Sequence, residues 1–432
     1  MAYITDNLVL DLDANYQVTT SLSGSVPVVT NWGDNHYLMN NDGKYNNATS
    51  SNATYCPLYE TGSDNIPYLL FPWTYGSTTN SMSLQVSSSL GPIASRSCSV
   101  YVVCSTFNND NINGGTVFAF SQSYSWMHFG LQNLFCQQQT TINYPVNKMA
   151  YACVGRPADS VAQMNLQRYT TAAQTSFSFS GSIISGRNDG LYSFFGKLYR
   201  VMVYAQTHSN AQIDQTMTQL CSDYNIPTSY DKQIVCMGDS ITAGAQSTNL
   251  HAYPVELHKL CPTYLIYNRG LSGRTIGASG SLGMYDKCVT EVNPLFSSSF
   301  SVNKCILFGG TNDIAVSGKS GSVTYGYLTS SCQNLKSLNN WSIDVITSYD
   351  RNTYSTEFDV YNNLIRSNSY SNPYFDRVID LGKQSQYGWQ YFSTSSNSTY
   401  FSADAIHPNS NGYTTMAQVI YQGWYMNQKT IL

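Results

Sequence analysis

Residues 235–244 read Val-Cys-Met-Gly-Asp-Ser-Ile-Thr-Ala-Gly, and the way they are parsed decides the fold of the second half of the chain. The run from Gln233 to Met237 is short and apolar, the signature of a buried strand. Gly238 permits a sharp turn where a side chain would clash. The small residues after Asp239 suit the start of a helix. Ser240 then sits at a helix mouth, where unpaired N–H groups favour developing negative charge. A serine so placed can be a nucleophile if a base and an oxyanion site arrive from elsewhere. A Gly-Asp-Ser turn alone is more often an ordinary helix cap, so the surrounding chain has to decide.

Outward from this stretch, the chain after Asp231 alternates strands with helices. Strands are expected at Ile234–Met237, Tyr264–Tyr267, Cys305–Phe308, Ile343–Ile346 and Val378–Leu381. Helical stretches fall between them, among them Val323–Leu338 and Glu357–Arg366. Such alternation predicts a parallel sheet with helices on both faces. In such folds a site lies beyond the carboxyl ends of the strands. The residues there are Gly238-Asp239-Ser240, Asn268-Arg269-Gly270-Leu271-Ser272-Gly273 and Gly309-Gly310-Thr311-Asn312-Asp313. Asp404-Ala405-Ile406-His407-Pro408 follows near the C-terminus.

Before Asp231 the grammar differs. Short alternating apolar stretches such as Leu8–Leu12, Ser99–Val103 and Gly196–Tyr204 are separated by Gly, Asn, Ser and Pro turns. This spacing predicts an antiparallel β-sandwich. One helix, Ser209 to Tyr224, closes the region with Ile213, Met217, Leu220 and Cys221 near one face. Residues 225–229 form the expected linker. Two domains, 1–228 and 231–432, follow, as suits a chain of 432 residues.

Charged residues make up only 11% of the chain, against the usual quarter. Solubility then rests on Ser, Thr, Asn, Gln and 35 tyrosines, a surface suited to sugar binding or to packing in an assembly. The formal charge of -4 includes no basic stripe, which argues against nucleic acid. No apolar run reaches the roughly 18 residues needed to span a bilayer, and residues 1–7 show no signal peptide. Synthesis in the cytosol is expected. Eleven cysteines show no CxxC pair or Cys/His cluster, so no metal or other cofactor is expected and the thiols read as buried and free. The loop Asn108–Asn111 reads as a solvated turn in preference to a calcium site.

Two resemblances extend this reading. The opening Leu-Val-Leu-Asp-Leu-Asp-Ala (8–14) and the closing stretch 194–213 resemble the first and last strands of concanavalin-like, laminin-G-type jelly rolls. That resemblance implies a glycan-binding or packing module over the first half, although such a fold fixes no function by itself. The four strand-end clusters resemble the four blocks of the SGNH (GDSL) hydrolases in family order, with Ser240, Gly270, Asn312 and His407 as signature residues. This second resemblance spans about 231–432 and implies a three-layer, flavodoxin-like α/β fold.

It also implies a chemistry. Ser240 would attack an ester carbonyl as His407 removes its proton. Asp404, three residues before His407, would orient the imidazole and support its cation. The family pattern makes the oxyanion hole from the N–H groups of Ser240 and Gly270 and the side-chain amide of Asn312. Asp239 and Asp313 are expected to brace turns. His251 and His258, seven apart on an expected helix, read as a solvated face or a partner contact. Tyr387, Trp389 and Tyr391, just before Asp404, are expected to flank a groove and stack on sugar rings.

Two decoys fall away. Gly318-Lys319-Ser320 lacks the earlier glycine of a phosphate loop, since position 313 is Asp, and the glycine-rich 277–283 follows no strand directly. Both read as loops shaping a groove. The expected function is a serine esterase removing acyl groups, O-acetyl first among them, from a polysaccharide. The alternative from another class is a virion structural or receptor-binding protein, as in a phage fibre or capsid decoration, with a homo-oligomer or a virion assembly as its setting. A lipase or thioesterase would need a long apolar groove, and no strongly apolar loop flanks any block.

Overall fold

A computed structural model of the chain describes residues 3–23, 26–34, 48–49, 56–71, 84–86, 97–106, 115–121, 124–129, 133–136, 139–156, 159–172, 183–184, 194–247, 251–277, 283–349, 354–367, 373–382 and 397–425. It divides into two compact units, one of residues 1–144 with 148–229, the other of 145–147 with 230–432. No helix among the described residues is long and apolar enough to cross a membrane.

In the first unit every strand pairing is antiparallel, as in a β-sandwich. Its central strands are apolar on both faces: Ser99–Thr106 and Met149–Gly155 are buried almost throughout. Ser99–Thr106 lies between Met149–Gly155 and Gly196–Tyr204. The latter also pairs with Leu8–Asp13, so the opening and closing strands of the unit are neighbours. Arg200 stands opposite Asp13 across this last pairing and reaches diagonally to Asp11. Arg200 donates from Nε and Nη2 to the two carboxylate oxygens of Asp11, both at 2.7 Å, with both side chains buried. A buried charge is tolerated only when so paired, and the fork of arginine matches a carboxylate in two bonds.

The helix expected at Ser209–Tyr224 forms at Asn210–Asp223. Ser209 caps it and Gln212 closes a capping box, satisfying N–H groups that the first turn leaves over. Its buried face is Ile213, Met217, Leu220 and Cys221, joined by Thr216. Among the described residues nine cysteines are free and buried, as the sequence suggested, but Cys153 on strand Met149–Gly155 is disulfide-bonded. The loop Asn108–Asn111 lies outside the described residues.

The second unit is a five-stranded parallel sheet with helices on both faces. Its strands are β1 (Lys232–Gly238), β2 (Leu265–Gly270), β3 (Val302–Phe308), β4 (Ser342–Ile346) and β5 (Arg377–Ile379). Their order across the sheet is 2-1-3-4-5, the flavodoxin-like order, which reverses direction of winding at β1/β3. Since β1 is sandwiched on both faces, nearly all its residues are buried, which is why its sequence is continuously apolar and not alternating. Even so the pleat sorts them. Ile234, Cys236, Ile266, Ile306 and Phe308 share a core cluster with Tyr253, Leu257, Tyr413, Met416, Ala417 and Ile420. The last six come from helices α2 (Tyr253–Leu260) and α7 (Ser410–Tyr425), which therefore cover one face.

Register fixes the site. Gly238 stands opposite both Gly270 and Phe308, so the strands β1, β2 and β3 end side by side. The chain leaves these ends into α1 (Ser240–Ala243), the turn 271–274, and α4 (Thr311–Ala315), which follows α3 (Met284–Lys287) in sequence. Helices α5 (Gly321–Leu338) and α6 (Ser355–Ser367) complete the unit and match the helical stretches read from sequence to within two residues. His251 precedes α2 instead of lying on it, and its Nδ1 bonds to Glu256 Oε1 at 2.8 Å. The expected seven-residue helical face of His251 and His258 is thereby corrected: Pro254 sits in the first turn of α2, a place where proline starts a helix, so the helix begins after His251.

Candidate active site

Ser240 is the first residue of α1 and is half-buried. Asp239 caps this short helix by accepting the N–H of Ile241 at 2.9 Å, so it braces the turn. The carbonyl of Ser240 accepts from Gly244 and Ala245. The hydroxyl of Tyr413 on α7 donates to the carbonyl of Ala245 at 2.7 Å, tying the last helix to the loop behind the serine.

The structure brings three of the named side chains into a single line. His407 Nε2 lies 2.8 Å from Ser240 Oγ, and His407 Nδ1 lies 2.6 Å from Asp404 Oδ2. The loop that carries them is strongly specified. Phe401 and Pro408 pair across its base, the N–H of Ser402 donates to the carbonyl of His407, and Ala405 takes a left-handed conformation at φ 52°. Asp404 Oδ1 accepts from Ser402 Oγ at 2.7 Å, the Ile406 N–H at 2.9 Å and the His407 N–H at 3.0 Å. Partial burial pushes the Asp404 carboxyl up, but these donors and the imidazole outweigh it, leaving its pKa at about 2. A carboxylate held ionised against Nδ1 favours the tautomer whose Nε2 carries no proton and faces Ser240 Oγ.

Gly270 ends β2 beside this line, and the N–H assigned to it as an oxyanion donor is already engaged: it donates to Asn268 Oδ1 at 2.9 Å. A Cβ on Gly270 would fall on the main chain of Thr242 and Ala243. The glycine is required so that α1 can pack directly on β2. The next glycine, Gly273, is placed otherwise. It is exposed, sits at φ +76°, and has nothing within 4 Å of where a Cβ would be. Its N–H has no partner among the described residues. The signal for it was in the sequence: a second glycine, in Gly-Leu-Ser-Gly, where a turn needs a positive φ.

Asn312 lies in the first turn of α4, and its Nδ2 donates to the carbonyl of Arg274 at 2.8 Å, leaving its second amide hydrogen available. Asp313 braces the next loop by accepting the N–H groups of Ile276 and Gly277 at 2.8 and 3.1 Å. Burial nonetheless raises its pKa above the usual carboxylate value. Tyr387, Trp389 and Tyr391 lie outside the described residues. Among the described residues no cluster of His, Cys, Asp and Glu could hold a metal ion.

Residues 236–415 match the GDSL-like Lipase/Acylhydrolase family. Among solved structures, the chain is similar to a member of the lipolytic protein G-D-S-L family from Veillonella parvula, at 18% identity over 45% of this chain and 99% of that one, with a TM-score of 0.37. It is also similar to a carbohydrate esterase family 3 protein from Talaromyces cellulolyticus, at 15% identity over 46% and 100%, TM-score 0.34. A carbohydrate acetylesterase from Sinorhizobium meliloti matches at 11% identity over 45% and 98%, TM-score 0.35. No curated protein matches the chain. The family match lies wholly within the second unit and supports a serine hydrolase acting on ester bonds.

Proposed function

We propose that Ser240, His407 and Asp404 are the catalytic triad of an esterase that removes O-acetyl groups from a polysaccharide. The observation that carries the triad is the continuous hydrogen-bonded line from Ser240 Oγ through His407 to Asp404. In the first step Ser240 Oγ bonds to the ester carbonyl carbon while its proton passes to His407 Nε2. The carbon–oxygen bond to the alcohol then breaks, and the alcohol leaves with that proton. Water repeats the sequence on the acyl-serine and releases the carboxylic acid. Asp404 stays ionised throughout and supports the transient imidazolium.

The charge that develops on the carbonyl oxygen needs donors aimed at it. The groups suited to this are the N–H of Ser240, the free amide hydrogen of Asn312 and the main chain of the turn after Gly270, with Gly273 a better candidate than Gly270 itself. Gly270 is committed to Asn268. An acetyl preference fits the absence of any strongly apolar loop beside the blocks, and a sugar substrate fits the uncharged, tyrosine-rich composition. The first unit, by its end motifs, is read as a jelly-roll module that binds glycan or packs on a neighbour. A virion role would leave the chemistry of the site unchanged and is supported by composition alone.

Replacing Ser240 with Ala tests the reading. Hydrolysis of p-nitrophenyl acetate should disappear while the thermal unfolding midpoint is retained; a folded Ser240→Ala protein with full activity would sink it. Acetate release from a panel of acetylated glycans then identifies the sugar.

A further inference from the structure

We infer that Arg274 is a positioning residue for the oxyanion site, a buried residue through which donors from two strand ends are held together. The inference rests on the esterase reading above and deepens it.

Arg274 closes the turn that follows β2 and is completely buried, with a side-chain exposure of 0%. Its main chain does two things. The N–H donates back to the carbonyl of Leu271 at 3.1 Å, closing the turn around Gly273. The carbonyl accepts from Asn312 Nδ2 at 2.8 Å, fixing the amide that comes from the end of β3. The guanidinium then anchors that main chain to the body of the unit. Nη1 donates to the carbonyl of Arg269 on β2 at 2.7 Å and lies against Met237 Sδ of β1. Nη2 donates to Glu291 Oε2 at 2.9 Å. Glu291 is itself nearly buried and takes a second cation, Lys287, at 3.1 Å.

A buried ion pair of this kind is weak evidence for stability, since a well-packed apolar pair of the same volume is often as stable or more so. What the pair provides is geometry. An oxyanion site works only if its donors are fixed within about 0.5 Å of their productive places, and surrounding side chains must hold them there. The turn itself is exposed at Gly273 and half-buried at Leu271 and Ser272. Leu271 ties the start of the turn to β1 by donating its N–H to the Gly238 carbonyl at 3.1 Å, and the buried anchor of Arg274 holds the end of the turn against the Asn312 amide.

The test uses the full chain with p-nitrophenyl acetate as substrate and phenylboronic acid, which becomes tetrahedral on a reactive serine, as the mimic of the charged intermediate. Arg274→Lys and Glu291→Gln are each compared with wild type. Both are expected to lower kcat about tenfold or more, with KM within about twofold, because only the transition state loses a donor. Boronate affinity should fall by the same factor. Asn312→Ala should cost less in the Arg274→Lys background than in wild type, since both changes remove the same donor. If Arg274→Lys fails to fold, Glu291→Gln, which changes charge and little else, carries the same readouts. Wild-type kcat in a folded variant, or losses that simply multiply with Asn312→Ala, would overturn the positioning role. Those results alongside an inactive Ser240→Ala would remove only this inference, whereas an active Ser240→Ala would remove the esterase reading itself.

Discussion

Ser402 Oγ donates to Asp404 Oδ1 at 2.7 Å, on the oxygen that does not face the imidazole, while Oδ2 of the same carboxylate takes His407 Nδ1. The carboxylate is thus held from one side by a serine and two main-chain N–H groups, so that its other oxygen is committed to histidine. With its pKa at about 2, Asp404 stays ionised across the whole range in which an esterase is assayed. Its folded value lies below that of a free aspartate, so its ionised form stabilises the fold above the free value, and that contribution is lost as pH falls through about 2. Replacing Ser402 with Ala should raise the Asp404 pKa and leave the protein folded. Carboxyl titration followed by NMR would show it; an unmoved pKa would mean that the main-chain donors suffice.

Asp404→Asn should cost kcat about 10⁴-fold, because an amide at that place favours the wrong tautomer of His407. KM for p-nitrophenyl acetate should change little. Steady-state kinetics on the folded variant decide this, and a loss below about tenfold would assign the orienting role elsewhere.

Asn312→Ala should lower kcat about 10²- to 10³-fold, the usual effect of removing one oxyanion donor. A rise in KM with kcat intact would instead make Asn312 a group that binds the ground state.

The two glycines after β2 should respond oppositely. Gly270→Ala places a Cβ on the main chain of Thr242 and Ala243, so it should forbid the packing of α1 on β2 and lower the unfolding midpoint severely. Gly273→Ala has room for its Cβ but keeps a left-handed φ of +76°, a strain of about 1–2 kcal/mol. Thermal unfolding of the pair separates them. Equal midpoints would contradict the packing described here.

In the first unit, Asp11→Ala leaves Arg200 charged, buried and without its two-bond partner, a change that typically costs about 3–5 kcal/mol. His208 gives that unit a pH dependence of known sign. It is buried beside the Tyr101 hydroxyl at 2.7 Å, and burial lowers its pKa to about 4. A histidine whose folded pKa is depressed stabilises the fold above its free value and loses that contribution as pH falls toward the folded value. The unit's unfolding midpoint should therefore drop between about pH 6.5 and pH 4, and the slope should flatten in His208→Gln.

Much of this was legible in the sequence because parallel-sheet strands buried on both faces are continuous apolar runs, and the five such runs found between Ile234 and Leu381 are the five strands. The position of Ser240 followed from one of them. Helix α7 was not among the expected helices, although Tyr413, Met416, Ala417 and Ile420 fall at i, i+3, i+4 and i+7 along it. What could not be read was which main-chain group of a turn is free. Gly270 and Gly273 look alike as letters; only the Asn268 side chain, folding back on Gly270, and the φ of Gly273 tell them apart. Arg274 misleads in another way. A charged residue in a loop reads as solvated, and its burial depends on Glu291, 17 positions later, arriving beneath it.

The base reaches its nucleophile across 167 positions of chain, on a loop that leads straight into the helix whose Tyr413 braces the serine turn. A ribosome has therefore released β1 and Ser240 just after it long before His407 exists. Throughout that interval the growing polypeptide holds a serine with nothing to take its proton. If Ser240 and His407 act as proposed, hydrolysis waits for the segment that carries His407, and a chain stalled or clipped ahead of Ser402 is expected to leave esters intact.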